Sequence, residues 1–228
     1  MTDRDHEHEH GMMVVELDDP ATADPDEEWA NALTHGLAAI AALLLGVYLI
    51  LQASDRSLGL VIACAAYLAS AFGTFLFSTL SHLFREQPLL DRMRAWDQAM
   101  IYTMISGTYT PIAWAYASDA VRPWLLTAIW VAAAFGVYHK IFLRHRINSI
   151  GTISYLLLGW LPSIPLAPRV PADLAWWMVA GGVLYTVGVV LLINDARLRY
   201  LHAGWHLSVM TAALCHYLGI LHHVVMVS

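Results

Sequence analysis

Charge is scarce in this chain of 228 residues, of which only 13% are Asp, Glu, Lys or Arg, against roughly a quarter in an ordinary soluble domain. With 58% hydrophobic residues, that scarcity excludes a soluble globular domain and points to a membrane protein. Cysteine is nearly absent. The two present, Cys64 and Cys215, form no motif, which argues against a disulfide framework, a thiolate zinc site or a redox CxxC. Both read as small apolar core residues. No Gly-rich phosphate loop follows a strand, no basic patch is interleaved with aromatics, and no internal repeat is evident, so no nucleotide or nucleic-acid partner is expected. A basic n-region with a cleavable h-region is also missing. No signal peptide is expected, and the first apolar run serves as its own insertion signal.

What the chain does have is apolar runs long enough to cross about 30 Å of hydrocarbon, which takes about 20 helical residues. They lie near 32–52, 58–84, 96–117, 123–143, 147–166, 174–194 and 201–226. The expected fold is an all-α membrane protein, a seven-transmembrane helix bundle over residues 29–228. The loops between runs are short, so any chemistry belongs to the bundle itself. Residues 1–28 read as an acidic, disordered, solvated tail: the first thirty residues hold eleven of the eighteen acidic residues and one basic residue, Arg4. The DHEHEHG run in that tail (His6, His8, His10) reads either as flexible polar chain or as a loose metal binder.

Short cytoplasmic loops carry an excess of Lys and Arg. One set of helix ends holds Arg4, Arg85, Arg92, Arg94, Lys140, Arg144, Arg146, Arg197 and Arg199, the other only Arg56, Arg122 and Arg169. This count places the amino terminus in the cytoplasm and the carboxyl terminus outside. Tryptophans fit interfacial belts, with Trp29, Trp96 and Trp205 near the inner ends and Trp114, Trp124, Trp176 and Trp177 near the outer ones.

The orientation brings together residues that are distant in sequence. His82 falls near the inner end of the second run, Asp97 at the inner start of the third, and His202 and His206 at the inner start of the seventh. Histidines at i and i+4 share a helix face, the geometry that lets two imidazoles grip one metal ion. With His82 they make a three-nitrogen site with an open fourth position, the arrangement of catalytic zinc. A hydroxide in that position and an ionised Asp97 would offset the charge of Zn2+ in a low-dielectric bundle. Ser78 lies one turn before His82 on the same face.

Other roles are open for some of these residues. Asp97 is placed to be the N-cap of the third helix, and Ser78 to bond the carbonyl one turn back. Glu28, Asn31, Thr34 and His35 stand at helical spacing at the entrance to the first run, with Asn31 as its N-cap, and serve either capping and packing or as a lid or substrate contact. His216 is about 15 Å along the helix from His206 and some 80° off its face, so it reads as a core histidine. His139, His145, His222 and His223 lie at the surfaces and enter no site.

The order of motifs resembles the bacterial hemolysin III proteins, the prokaryotic branch of the progestin and adiponectin receptor (PAQR) family. The resemblance runs through E-x-x-N-x-x-T-H-G at Glu28 to Gly36, S-x-x-x-H at Ser78 to His82, SGTYTP at Ser106 to Pro111, SYLLLGW at Ser154 to Trp160, GGVLYTVG at Gly181 to Gly188, and H-x-x-x-H at His202 to His206. It implies a seven-helix bundle in which His82, His202 and His206 hold a zinc ion beside Ser78 and Asp97. Because the wider superfamily includes alkaline ceramidases, it also implies lipid-amide hydrolysis. The chain departs from the family pattern at Gln98, where histidine is common, and at Ser81, where tyrosine is common.

Two functions follow. One is an intramembrane zinc hydrolase of a bacterial inner (plasma) membrane, in which a zinc-activated water attacks a lipid amide or ester of the ceramide-like class; Asp97 takes or relays the proton, and Ser78 orients the water or helps hold the oxyanion. The other is a receptor or hemolysin-type pore with a structural zinc. A pore needs a polar stripe through the full membrane depth, and a structural site needs a fourth protein ligand, for which Asp97 is the candidate.

Overall fold

The computed structural model describes residues 24–143 and 149–227; Arg4, the His6, His8 and His10 run, Arg144, His145 and Arg146 lie outside the described residues. Helix α1 (Pro25–Ser54) starts at Pro25, where the Asp24 carboxylate accepts the Asp26 amide at 2.9 Å and Asp26, Glu27 and Glu28 fill the first turn. Proline at the first position and acidic residues against the positive end of the helix dipole favour that start. Asn31 is therefore not the N-cap; it sits inside the helix and is buried. Helix α2 (Leu58–Leu83) is capped by Ser57, whose hydroxyl accepts the Leu60 amide at 3.2 Å.

Helix α3 (Leu89–Tyr116) begins directly after Pro88, so Asp97 lies two turns inside it rather than at its N-cap. The residues before Asp97, LLDRMRAW, are mostly strong helix formers and carry the helix beyond the apolar run. Helix α4 (Arg122–Phe142) has Pro123 in its first turn. The fifth run is broken: α5 (Ser149–Trp160) stops before Pro162, and the single turn α6 (Ser163–Leu166) resumes after it. Helix α7 (Ala172–Leu192) leads through a 3-10 turn at Asp195–Arg197 into α8 (Leu201–Ile220), which ends in a π-turn at Leu221–Val225.

Chain neighbours pack side by side, α1 on α2, α2 on α3, α3 on α4, and α7 on α8. Helix α8 returns against α1, and α5 bridges α3 and α7, so the helices close around a shared interior. Among the described residues, five helical segments are long and apolar enough to cross a membrane: Pro25–Ser54, Leu58–Leu83, Arg122–Phe142, Ala172–Leu192 and Leu201–Val225. The outward faces are apolar, as Leu33, Leu37, Ile40 and Leu44 on α1 and Val131, Phe135 and Phe142 on α4 are all exposed. The buried polar side chains Asn31, His35, Ser70, Thr74, Ser78 and Ser106 line the inside. An apolar exterior suits hydrocarbon, which offers no hydrogen bonds.

Interior hydroxyls tie helices together through backbone carbonyls, Ser106 donating to Ile129 at 2.9 Å across α3 and α4, and Tyr155 to Gln98 at 2.8 Å across α5 and α3. Between α3, α5, α7 and α8 lies a cavity of about 240 Å³, lined among others by Ile105, Leu156, Tyr185, Val189, Trp205 and His216. Trp205, read in sequence as an interfacial anchor, turns inward to this cavity and packs against the Cα of Gly188.

Candidate metal centre

The end of the bundle where α1 and α8 begin and α2 ends is drawn together by charge. The Arg199 guanidinium meets Asp24 at 2.7 Å and Glu27 at 3.4 Å, and the Tyr200 amide donates to Glu27 at 3.2 Å. Tyr200 adopts a left-handed conformation, φ 61°, immediately before α8. This reversal, with the 3-10 turn before it, folds Asp195 back beside the first turn of α8.

Here His82, His202 and His206 converge, with one nitrogen from each within 4.8 Å of the others. The ring of His82 stands edge-on to those of His202 and His206, with centroids 5.2 and 5.1 Å apart. Each imidazole is held at Nδ1 by an oxygen. His82 Nδ1 lies 2.8 Å from Glu28 Oε2, His202 Nδ1 lies 2.8 Å from Asp195 Oδ2, and His206 Nδ1 lies 3.2 Å from Thr34 Oγ1. An ionised carboxylate only accepts, so His82 and His202 carry their proton on Nδ1. The Thr34 hydroxyl gives its own proton to the Asn31 carbonyl at 2.9 Å, and its oxygen is left to accept from His206 Nδ1.

In its neutral form each of the three rings then carries its proton on Nδ1 and a lone pair on Nε2. Oxygen partners of this kind orient metal-ligating histidines and raise their basicity. His82 Nε2 is buried and has no hydrogen-bond partner, an orphan that a metal ion would satisfy. Three bare nitrogens without a thiolate form a donor set suited to a metal ion of the zinc type.

Asp97 faces this group from α3. Its Oδ2 lies 3.1 Å from the Ser81 hydroxyl, and the Ser78 hydroxyl reaches the same carboxylate. Ser78 and Ser81 are buried, and Ser81 also lies 2.8 Å from the Ser78 carbonyl. The Asp97 carboxylate is not among the atoms clustered at ligand distance. His35 stacks on His206, with ring centroids 3.6 Å apart and planes 12° from parallel, and packs edge-on against Phe75. His216 stands apart, buried, with Nε2 donating to the Met178 carbonyl at 3.2 Å. His222 and His223 fall in the terminal π-turn.

Sequence reasoning passed over Asp195, read Ser81 only as a departure from the family pattern, and left Glu28 and Thr34 between capping and lid. The signal for Glu28 and Thr34 was present, since each occurs at helical spacing on the face of α1 turned to the histidines. Asp195 carried none, because a turn between helices has no period. At Gln98 the chain places an acceptor for Lys140 Nζ at 3.0 Å, so this departure from the resemblance faces a buried lysine.

An all-helical bundle with an apolar exterior and a polar cluster of three histidines and one carboxylate at one end defines an integral membrane protein with a candidate metal centre. The family model described as "Haemolysin-III related" matches residues 24–217, and the chain belongs to the hemolysin III branch of the PAQR family. It is 33% identical to "Hemolysin-3" of Bacillus cereus over 202 residues, covering 87% of this chain and 92% of the relative. It is 31% identical to "Hemolysin-3 homolog" of Bacillus subtilis (strain 168) over 206 residues, covering 88% and 96%. With the human "Monocyte to macrophage differentiation factor" it shares 26% identity over 201 residues, covering 85% and 83%.

Proposed function

We propose that this protein is an intramembrane zinc-dependent hydrolase that cleaves a lipid amide or ester, ceramidase-like in substrate class, at the cytoplasmic side of a bacterial plasma membrane. The observation that carries this reading is the convergence of His82, His202 and His206, each with an oxygen against its Nδ1, beside the half-buried carboxylate of Asp97. A zinc ion would be held by His82, His202 and His206 and would supply Lewis acidity that polarises a carbonyl and activates water. The absence of the Asp97 carboxylate from the ligand-distance group supports a site with an open position over a closed structural one.

Asp97 takes the proton of the attacking water at Oδ1, the oxygen not engaged by Ser81, as the new C–O bond forms. It then delivers that proton to the leaving nitrogen or oxygen as the C–N or C–O bond of the lipid breaks. Ser78 and Ser81 hold the carboxylate in this orientation. The cavity between α3, α5, α7 and α8 receives the acyl chain, and its mostly apolar lining keeps bulk water out. A pore would need polar lining through the membrane depth, and the histidine trio and Asp97 gather at one end instead.

In this reading α3 and the broken α5–α6 segment complete the five apolar segments to seven spans, with the amino terminus and the site at the cytoplasmic face. The nine-to-three distribution of Lys and Arg supports this orientation. The test is hydrolysis of a short-chain ceramide by purified protein. Activity should vanish on chelation and return with zinc at about one ion per chain; hydrolysis indifferent to metal removal, or no zinc bound, overturns the proposal.

A further inference from the structure

Far from the histidine trio, two residues that line the apolar cavity each carry a polar atom without a partner. Tyr185 and His216 both line it, with ring centroids 5.6 Å apart. The Tyr185 hydroxyl and His216 Nδ1 are buried and make no hydrogen bond, although His216 is only 7% exposed. Leaving such groups unpaired costs about 1–3 kcal/mol each, so the arrangement calls for an occupant. The ring of His216 has its place because position 181 is glycine. A Cβ there would lie 2.3 Å from His216 Nε2 and 3.0 Å from the Ala212 carbonyl.

The chemistry of the two atoms specifies what could pair with both. His216 Nε2 faces the Met178 carbonyl at 3.2 Å, and a carbonyl only accepts. The proton of the neutral ring is therefore on Nε2, and Nδ1 offers a lone pair. The phenol of Tyr185 has a proton to donate. A group that pairs with both must give one hydrogen bond and take one, as a water or the hydroxyl of a lipid does. A carbonyl or ether would leave Nδ1 unpaired, and an ammonium would bring a charge into apolar surroundings. From His206 to His216 the helix rises about 15 Å, the span of roughly a dozen carbons of an extended chain.

We infer that Tyr185 and His216 form a hydroxyl-recognition subsite, about 15 Å along α8 from the metal centre, that selects acyl chains carrying a mid-chain hydroxyl. The inference rests on the reading of the cavity as an acyl-chain site. Its test is binding of stearate and of 12-hydroxystearate to the purified protein and to Tyr185→Phe, by displacement of a fluorescent fatty acid.

The wild type should bind 12-hydroxystearate roughly five- to tenfold tighter than stearate, as one or two net hydrogen bonds allow. Tyr185→Phe should lose most of that preference while keeping its stearate affinity, which also reports an intact cavity. Equal affinity of the wild type for the two acids overturns the subsite and leaves the acyl cavity standing, the pair then holding only water. A preference kept in full by Tyr185→Phe overturns it as well. Binding of neither acid refutes the lipid reading on which the subsite depends.

Discussion

Removing the carboxylate behind His82 should weaken metal binding without touching a metal ligand. In Glu28→Ala, His82 Nδ1–H loses the acceptor at 2.8 Å that fixes its tautomer. Loss of such a partner typically costs 10- to 100-fold in metal affinity, about 1.4–2.7 kcal/mol. The structure ranks the two carboxylate variants. The side chains of His82 and Glu28 are 12% and 15% exposed, while those of His202 and Asp195 are 30% and 27% exposed. Water can replace the lost acceptor more easily at the second pair. Glu28→Ala should therefore fall near the hundredfold end and Asp195→Ala near the tenfold end. Glu28→Gln keeps an oxygen that can accept from Nδ1–H and should lie between Glu28→Ala and the parent. The assay is zinc competition against a chromophoric chelator on detergent-purified protein. Affinity unchanged within about twofold in Glu28→Ala, or a glutamine variant as weak as the alanine one, would refute the reasoning.

The double variant His202→Ala/His206→Ala should lose zinc, whereas His216→Ala should retain it; metal analysis after purification decides, and full occupancy in the double variant excludes the site. Gly181→Ala forces a Cβ to 2.3 Å from His216 Nε2 and should destabilise the bundle by about 1–3 kcal/mol through overpacking, seen as a lower Tm. A reporter fused after Ser228 should be active only outside the cytoplasm, and activity confined to the cytoplasm would reverse the orientation and the placement of the site.

The bundle was legible because helices crossing hydrocarbon must be long and apolar, a property that any window of sequence reveals. The histidine cluster was legible through two independent features, the i, i+4 spacing of His202 and His206 and the depth of His82 inferred from loop charge. Helix starts were not, because Pro25 with its acidic first turn, and the strong helix formers after Pro88, extend α1 and α3 past their apolar runs. That is why Asn31 and Asp97 turned out to be interior residues and not caps. Asp195 was hidden by the left-handed Tyr200 and the 3-10 turn, which set a residue from an irregular segment against His202. The inward turn of Trp205 depends on the missing side chain of Gly188, a contact between helices that neither segment shows alone.

The central claim is that three histidines hold zinc while Asp97 moves the proton. The most direct measurement compares parent and Asp97→Asn for zinc content and for the rate of short-chain ceramide hydrolysis at matched metal loading. The account predicts near-equal zinc with a rate lower by about 10²- to 10⁴-fold. A variant that hydrolyses as fast as the parent, or that loses its zinc together with its activity, would contradict it.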